Sequence, residues 1–507
     1  MGPLQDIRET WARFWNAENA VVAFLKARKW LVLAISLLVL VPCFWHRHIE
    51  AGDLGSHTYN AWLAQLIEKG QAPGLYLVHQ WNNILFDVLL HRTGNLVGFA
   101  AAEKIIVGVS ILMFFWGVFG LVFVISGHPP WPLTPCIAML VYGYSFEMGF
   151  MNYYLSLGLG SFALALLWQE EKSKRVVCGA LLTLAILVAH PIGFLWVVGA
   201  AVYVRLWRRI PEFWRLALPA TIVAAFLALR TMLANDLAYD ADWPPGPFVL
   251  RNGADQLVVF GHRYWYLYGA VVAWAAVSFV TAAWIAIRRK EREWKFLRLS
   301  LELYVVAVCV TAVLPENMRS SHYAGWIGLL VSRLTTITAI FGLAALACVR
   351  LRRWMGAGFG LCAGAFFLFL YQDTRILDVM ETNAEKITAS LPYGTRIVPV
   401  INAPGEWRVQ FIGHAVERAC IGRCFSFSNY EPSSGQFRIR ARPGSPVVTA
   451  SSNVAEDMAG GEYVVKASDL PLTAILQCGD GGITKLCAAK LTAGKRTEEV
   501  DEPGDNP

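Results

Sequence analysis

Again and again the chain runs through apolar stretches of about 20 residues, the length an α-helix needs to cross a hydrocarbon core about 30 Å thick. No other feature restricts the fold so strongly. The first stretch runs from Trp30 to Trp45, after Lys26, Arg28 and Lys29. Later ones lie near 97–126, 131–146, 150–168, 176–190, 192–206, 214–231, 263–287, 299–314, 326–349 and 354–371. This pattern predicts about eleven membrane spans. Roughly thirty residues precede the first run and no small-residue cleavage site follows it, so it reads as an anchor and not as a signal peptide. Composition agrees. Apolar residues make up 56% of the 507 and charged residues 16%, where a soluble protein carries about 25% charged. That excludes a soluble enzyme with ordinary cores and a disordered chain. With 10 cysteines in 507 residues, a disulfide scaffold is excluded too.

Basic residues orient the bundle, because short cytoplasmic loops collect Lys and Arg. With the N-terminus inside, the inner loops hold Lys172, Lys174 and Arg175; Arg205, Arg208 and Arg209; Arg288, Arg289, Lys290, Arg292 and Lys295; and Arg350, Arg352 and Arg353. The opposite loops carry far fewer, among them Arg47, Lys69, Arg251 and Arg319. The net charge of +7 is therefore topological and implies no nucleic-acid partner. Three segments fall outside: a first loop over 46–96, a loop near 232–262, and everything from Gln372. This divides the chain into a cytoplasmic segment 1–29, a membrane domain 30–371, an outer α+β domain 372–494 with short strands at Thr395–Ile401, Gln436–Ala441 and Tyr463–Lys466, and a disordered polar tail 495–507. The fold class expected is an all-α polytopic bundle with a small outer α+β domain.

Cys420, Cys424, Cys478 and Cys487 all lie in that outer domain. An even set in an oxidising compartment predicts two disulfides, with 420–424 and 478–487 the local pairing. Zinc is the weaker reading, since no His joins them at ligand spacing. No Asn-x-Ser/Thr sequon occurs, which points to a bacterial periplasm and so to the inner membrane.

The first outer loop reads Asp53-Leu-Gly-Ser-His57-Thr-Tyr-Asn60, then apolar positions at Trp62, Leu63, Leu66 and Ile67, then Gly70 and Pro73. Helical spacing predicts a membrane-surface helix from Leu54 to Lys69 and a second amphipathic piece over Tyr76–Leu90. This layout resembles the GT-C superfamily of polytopic glycosyltransferases. The matching signature is an Asp soon after the first span, a His, a surface helix and Gly-x-x-Pro: Asp53, His57, Gly70 and Pro73. Further echoes are Glu147 to Asn152 at an outer turn, His190-Pro191 at a span end, and Arg333 in a late span. As architecture the resemblance covers roughly 30–371; its sharp motifs lie within 50–73. It implies a polyprenyl-phosphate-linked sugar as donor, a lipid, glycan or protein as acceptor, and an active site on the outer leaflet. Family members often carry a paired acidic motif in this loop, whereas here Asp53 has only Glu50 nearby. No metal ligand is therefore assigned, and a divalent cation, Mg or Mn, stays open as a cofactor.

Transfer from a lipid phosphate needs a base for the acceptor hydroxyl and positive charge for the departing phosphate. Asp53 is the base candidate, ionised at neutral pH, with inversion as the outcome of a single displacement; an Asp here also suits a helix N-cap. His57, four residues on, and Glu50 complete the catalytic set. Arg333 sits inside an apolar stretch, where a charge is costly, and its guanidinium suits phosphate oxygens; snorkelling is the plain alternative. Arg319 and His322 are further donor-binding candidates, and Glu147, Asn152 and His190 are cavity-lining ones that equally suit caps and packing. Two other classes stay open. One is a lipid-linked glycan ligase or polymerase working in the 232–262 loop through Asp236, Asp240, Asp242 and Arg251; the other is a secondary transporter. A membrane protein with no activity is the plain third. The topology is testable directly: a phosphatase reporter fused after Gly460 is expected to be active and one near Lys290 silent, and the reverse pattern would place Asp53 on the inner face.

Overall fold

The computed structural model describes residues 27–168, 173–237, 240–243, 250–288, 294–320, 323–402, 404–409, 412–479 and 482–499. In chain order its principal elements begin with α1 Lys29–Leu40, α2 Leu54–Glu68, β1 Leu75–Leu77, α3 Leu85–Val97, α4 Phe99–Ser126, α5 Thr134–Val141, α6 Met151–Trp168, α7 Ser173–Ala189, α8 Pro191–Arg209 and α9 Ala217–Met232. There follow β2 Asp240–Asp242, α10 Arg263–Arg288, α11 Trp294–Val313, β3 Asn317–Ser320, β4 Tyr323–Ile327, α12 Leu330–Ala347 and α13 Arg353–Ser390. The C-terminal part holds β5 Arg396–Val400, α14 Ile412–Ala419, β6 Phe425–Ser426, β7 Ile439–Ala441, α15 Ser452–Ala459, β8 Thr473–Gln477 and β9 Leu486–Lys490.

Among the described residues, seven helices are long and apolar enough to cross a membrane: Phe99–Ser126, Met151–Trp168, Glu212–Asn235, Arg263–Arg288, Phe296–Val313, Leu330–Ala347 and Arg353–Ser390. Shorter apolar helices occupy Lys29–Cys43 and Arg175–Ala189. Several leave their apolar faces open: Leu216, Leu227, Val280, Trp284 and Ile287 are all more than half exposed or close to it. Surface of that kind suits contact with lipid. The expected 131–146 span is broken into a 3₁₀ turn at Trp131–Leu133, α5, and a short turn of helix at Tyr144–Glu147. Eight residues of α5 rise about 12 Å, too little to cross; Pro130, Pro132 and Pro135 remove the amide donors that a continuous helix needs. Between α7 and α8 the chain breaks where sequence expects it: His190 caps α8, its Nδ1 accepting from the Ile192 amide at 3.2 Å, and Pro191 takes the first helical position.

The chain divides into two compact units. The first comprises the described residues of Met1–Val41, Val109–Ser145 and Tyr153–Leu368, and carries most of the apolar helices plus an antiparallel sheet ordered β2-β3-β4. The second comprises Pro42–Gly108, Phe146–Asn152 and the described residues from Phe369 on. The segment after α1 thus folds together with the C-terminal region, a union that no local pattern announces. Helix α13 runs through Gln372 to Ser390 without interruption, so the change in composition there marks no break in the backbone.

In the second unit a four-stranded sheet is ordered β6-β5-β8-β9, with β5 parallel to β6 and β8, and β9 antiparallel to β8. Its core is Val398, Val400, Phe427, Met458, Val465, Leu472, Ala474 and Leu491. β1 pairs antiparallel with β7, Tyr76 opposite Arg440, which stitches the segment between α2 and α3 to the C-terminal region. α2 is no surface helix. Eleven of its 15 residues are buried, on every side of the cylinder, because α3, α14 and β1 all pack on it. The open apolar positions, Leu89, Leu96 and Val97, are on α3. Nor does a helix start at Tyr76: the chain forms β1, turns through Asn83 at φ 53°, and only then enters α3. Residues 495–499 are not a loose tail, since the Thr497 hydroxyl donates to Met458 O and Val465 N to Lys495 O; residues 500–507 lie outside the described residues.

Cys420 is bonded to Cys424, and Cys478 to Cys487. Mass mapping of the unreduced protein is expected to find these two local pairs, and four free thiols there, or cross-pairing, would contradict the assignment.

Candidate active site

Every side chain of the site described here belongs to the second unit. Asp53 stands at the head of α2 yet makes no capping hydrogen bond with its carboxylate. Its backbone is gripped from elsewhere: Gly52 N donates to Glu147 O at 2.7 Å and Asp53 N to Met148 O at 3.1 Å. The turn that supplies these carbonyls depends on Gly149, which has φ 77° and whose imaginary Cβ would lie 2.3 Å from Asp53 N. Only glycine gives both the positive φ and the clearance. Gly55 plays the same part toward α14, where a Cβ would meet His414 O at 2.2 Å.

That close approach sets His414 beside Asp53, Nε2 to Oδ1 at 3.6 Å, while His414 Nδ1 donates to Glu417 at 2.9 Å. The Asp53 side chain keeps 30% of its surface open. One turn along α2, His57 Nδ1 donates to Asp87 Oδ1 at 2.5 Å. Asp87 Oδ2 accepts from Asn152 Nδ2 at 2.7 Å, and Asn152 Oδ1 accepts from the Phe86 amide. A third chain runs from Asn429 to Asn60 to Ser56, whose hydroxyl donates to Glu431 Oε1 at 2.7 Å. His57, Asn60, Gln80, Asp87, Asn152 and Glu431 line a cleft closed by Phe437 to Ile439.

Burial alone would lower both imidazoles, but neighbouring carboxylates overturn it. Asp87, with Glu431 and Asp53 behind it, raises His57 to about 9. Glu417 and then Asp53 raise His414 to about 9. Burial pushes Glu431 up to about 7 against the pull of His57. At neutral pH the site therefore sets two imidazolium ions around a partly open carboxylate, with a second carboxyl poised near neutrality.

The sequence-derived candidates separate. Asp53, His57, Glu147 and Asn152 gather in this unit, Glu147 through its backbone carbonyl, with its side chain buried. Glu50 is buried with Arg418 in a different cluster. Arg333, Arg319 and His190 belong to the first unit. There Arg333 lies in the first turn of α12, Nη1 donating to Gly328 O at 3.1 Å, and Tyr153 OH donates to Arg333 O while packing edge-on to the His190 ring. Arg319 is exposed on β3 opposite Asp240. His322 lies outside the described residues, and so does the side chain of Asp236. Sequence reading passed over Asp87 as a partner for His57, and missed His414, Glu417 and Glu431 altogether. One signal was available: His414 is the only His beyond Gln372, and it precedes Glu417 at helical i,i+3 spacing.

No family model matches the chain, and no curated protein matches it. Among solved structures it is similar to the archaeal oligosaccharyltransferase AglB from Archaeoglobus fulgidus, solved in complex with an inhibitory peptide and a dolichol-phosphate. Identity is 11%, the match covers 89% of this chain and 70% of that chain, and the TM-score is 0.35; a likeness this distant fixes neither fold nor activity.

The raised imidazoles carry a pH signature. A His whose folded pKa lies above its ordinary value contributes stability that is complete below about 6.5 and disappears as pH rises through the folded value, here about 9. The melting temperature is expected to fall between pH 7 and 10, and His57→Gln to start lower and fall less. Equal falls in variant and wild type would show that the His57–Asp87 pair is not responsible.

Proposed function

We propose that this chain is an integral-membrane glycosyltransferase of the GT-C type. It moves a sugar from a polyprenyl-phosphate donor to a lipid, glycan or protein acceptor at the periplasmic face of a bacterial inner membrane. The observation that carries this reading is the Asp53 carboxylate: relieved of capping, partly open to solvent, and flanked by His57 and His414. In the proposed step the acceptor hydroxyl gives its proton to Asp53 as its oxygen attacks the anomeric carbon. The C1–O bond to the lipid phosphate breaks, the phosphate leaves with the bonding electrons, and configuration inverts. Cationic His57 and His414 favour the charge that gathers on the departing phosphate. Arg333 is assigned the donor phosphate, its fork matching two oxygens. The neutral-range Glu431 favours a second reading in which it, not Asp53, accepts the proton.

Asp53→Asn separates these roles. It is expected to insert normally and lose about 10²- to 10⁴-fold in turnover of the lipid-linked sugar extracted from native membranes, with donor affinity nearly unchanged. Arg333→Lys keeps charge but loses the fork, and is expected to raise donor KM more than it lowers kcat. Near-normal turnover in Asp53→Asn together with its loss in Glu431→Gln would move the base to Glu431. Loss on substituting Asp236, Asp240 or Asp242 instead would favour the ligase-like reading.

A further inference from the structure

The second unit buries another charged group that the proposed reaction does not use. Arg418 donates to both oxygens of Glu381 at 2.5 and 2.6 Å and to Glu103 at 2.7 Å, and it lies 3.6 Å from Glu50. Beside it, His48 contacts carboxylates through both ring nitrogens, Nδ1 to Asp378 at 2.8 Å and Nε2 to Glu385 at 3.1 Å. Five carboxylates thus meet Arg418, the exposed Arg47 on Glu385, and one imidazole. Carboxyl groups outnumber the cations beside them, and Glu50, Glu103 and Glu381 are almost wholly buried, which pushes the Glu50 and Glu103 carboxyls up from the ordinary range. Buried carboxylates in excess call for a further cation or proton.

Two features locate that cation. Glu50 has a side chain 2% exposed, and its Oε1 is buried with no hydrogen-bond partner among the described residues. A His48 ring nitrogen and carboxylate oxygens of Glu50 and Glu381 all lie within 4.8 Å of one another. Ligands about 2.0–2.2 Å from one ion stand up to roughly 4 Å apart, so small side-chain rotations close the set. We propose that His48, Glu50 and Glu381 bind one divalent transition-metal ion, of the Mn²⁺ or Zn²⁺ class. One nitrogen among oxygen ligands selects such ions over Mg²⁺ or Ca²⁺. Asp378 or Glu385, on the other ring nitrogen, orients the imidazole as carboxylates do behind metal-bound histidines. The ion ties the segment after α1 to α13, and it is separate from the chemistry at Asp53.

The test uses the full chain in detergent, stripped with EDTA and then offered Mn²⁺, Zn²⁺, Mg²⁺ or Ca²⁺ singly. Elemental analysis after desalting is expected to find about one Mn²⁺ or Zn²⁺ per chain with a raised melting temperature. Mn²⁺-loaded protein should show a nitrogen hyperfine coupling by pulsed electron paramagnetic resonance. His48→Ala should abolish that coupling, Glu50→Gln should weaken affinity at least tenfold, and Asp53→Asn should keep the metal. No stoichiometric metal in the wild type would overturn the proposal and leave a proton as the compensating cation. Retention in both His48→Ala and Glu50→Gln, or loss in Asp53→Asn, would overturn it by placing the ion elsewhere.

Discussion

Much of the second unit hangs on one buried cation. Arg418 reaches Glu381 on α13, Glu103 at the start of α4, and both Glu50 and the Ile49 carbonyl after α1. A guanidinium can satisfy that many acceptors at once because its donors are fixed in a plane. Removing one member of such a buried set typically costs about 3–5 kcal/mol, since the others are left charged and unpaired. Four segments distant in sequence are held in one place by this side chain. α14, which carries it, also carries His414 and Glu417, and ends against the Cys420–Cys424 bond.

Placement of Asp53 follows from the same assembly. Its turn is held by carbonyls of Glu147 and Met148, and α14 comes close enough to present His414 only because position 55 is glycine. Two glycines, each at a backbone contact that a methyl group would block, thus fix the surroundings of the carboxylate on two sides. Burial then works against both imidazolium charges, and the pairings restore them: Asp87 keeps His57 cationic, and Glu417 keeps His414 so. Each imidazolium in the site exists because a carboxylate stands near it.

The apolar helices obey a different constraint. Faces such as those of α9 and α10 are left open, as suits helices covered by lipid. Backbone hydrogen bonding is internal to each helix, so these segments need nothing from their neighbours to be helical. α2 is the contrast. Its own pattern suits a surface helix, and only contacts from three other elements turn it into the middle of a folded unit.

That difference explains what could be read from the residues alone. Apolar length located most long helices, to within a few residues at Phe99–Ser126, Met151–Trp168 and Arg263–Arg288, because a helix in lipid is decided by its own twenty residues. His190-Pro191 marked a helix start for the same local reason. Asp53 and His57 stood out because they share one turn of one helix with a recognisable signature around them. Their partners did not. His414, Glu417 and Glu431 lie more than 350 positions away, and no periodicity within a segment encodes which distant segment will pack on it. The pairing of β1 with β7 and the diversion of Glu50 to Arg418 were likewise decided by tertiary contacts, whereas the break of 131–146 follows from its own prolines. Local chemistry sets what each segment can be; burial of charge and close backbone approach decide which segments meet.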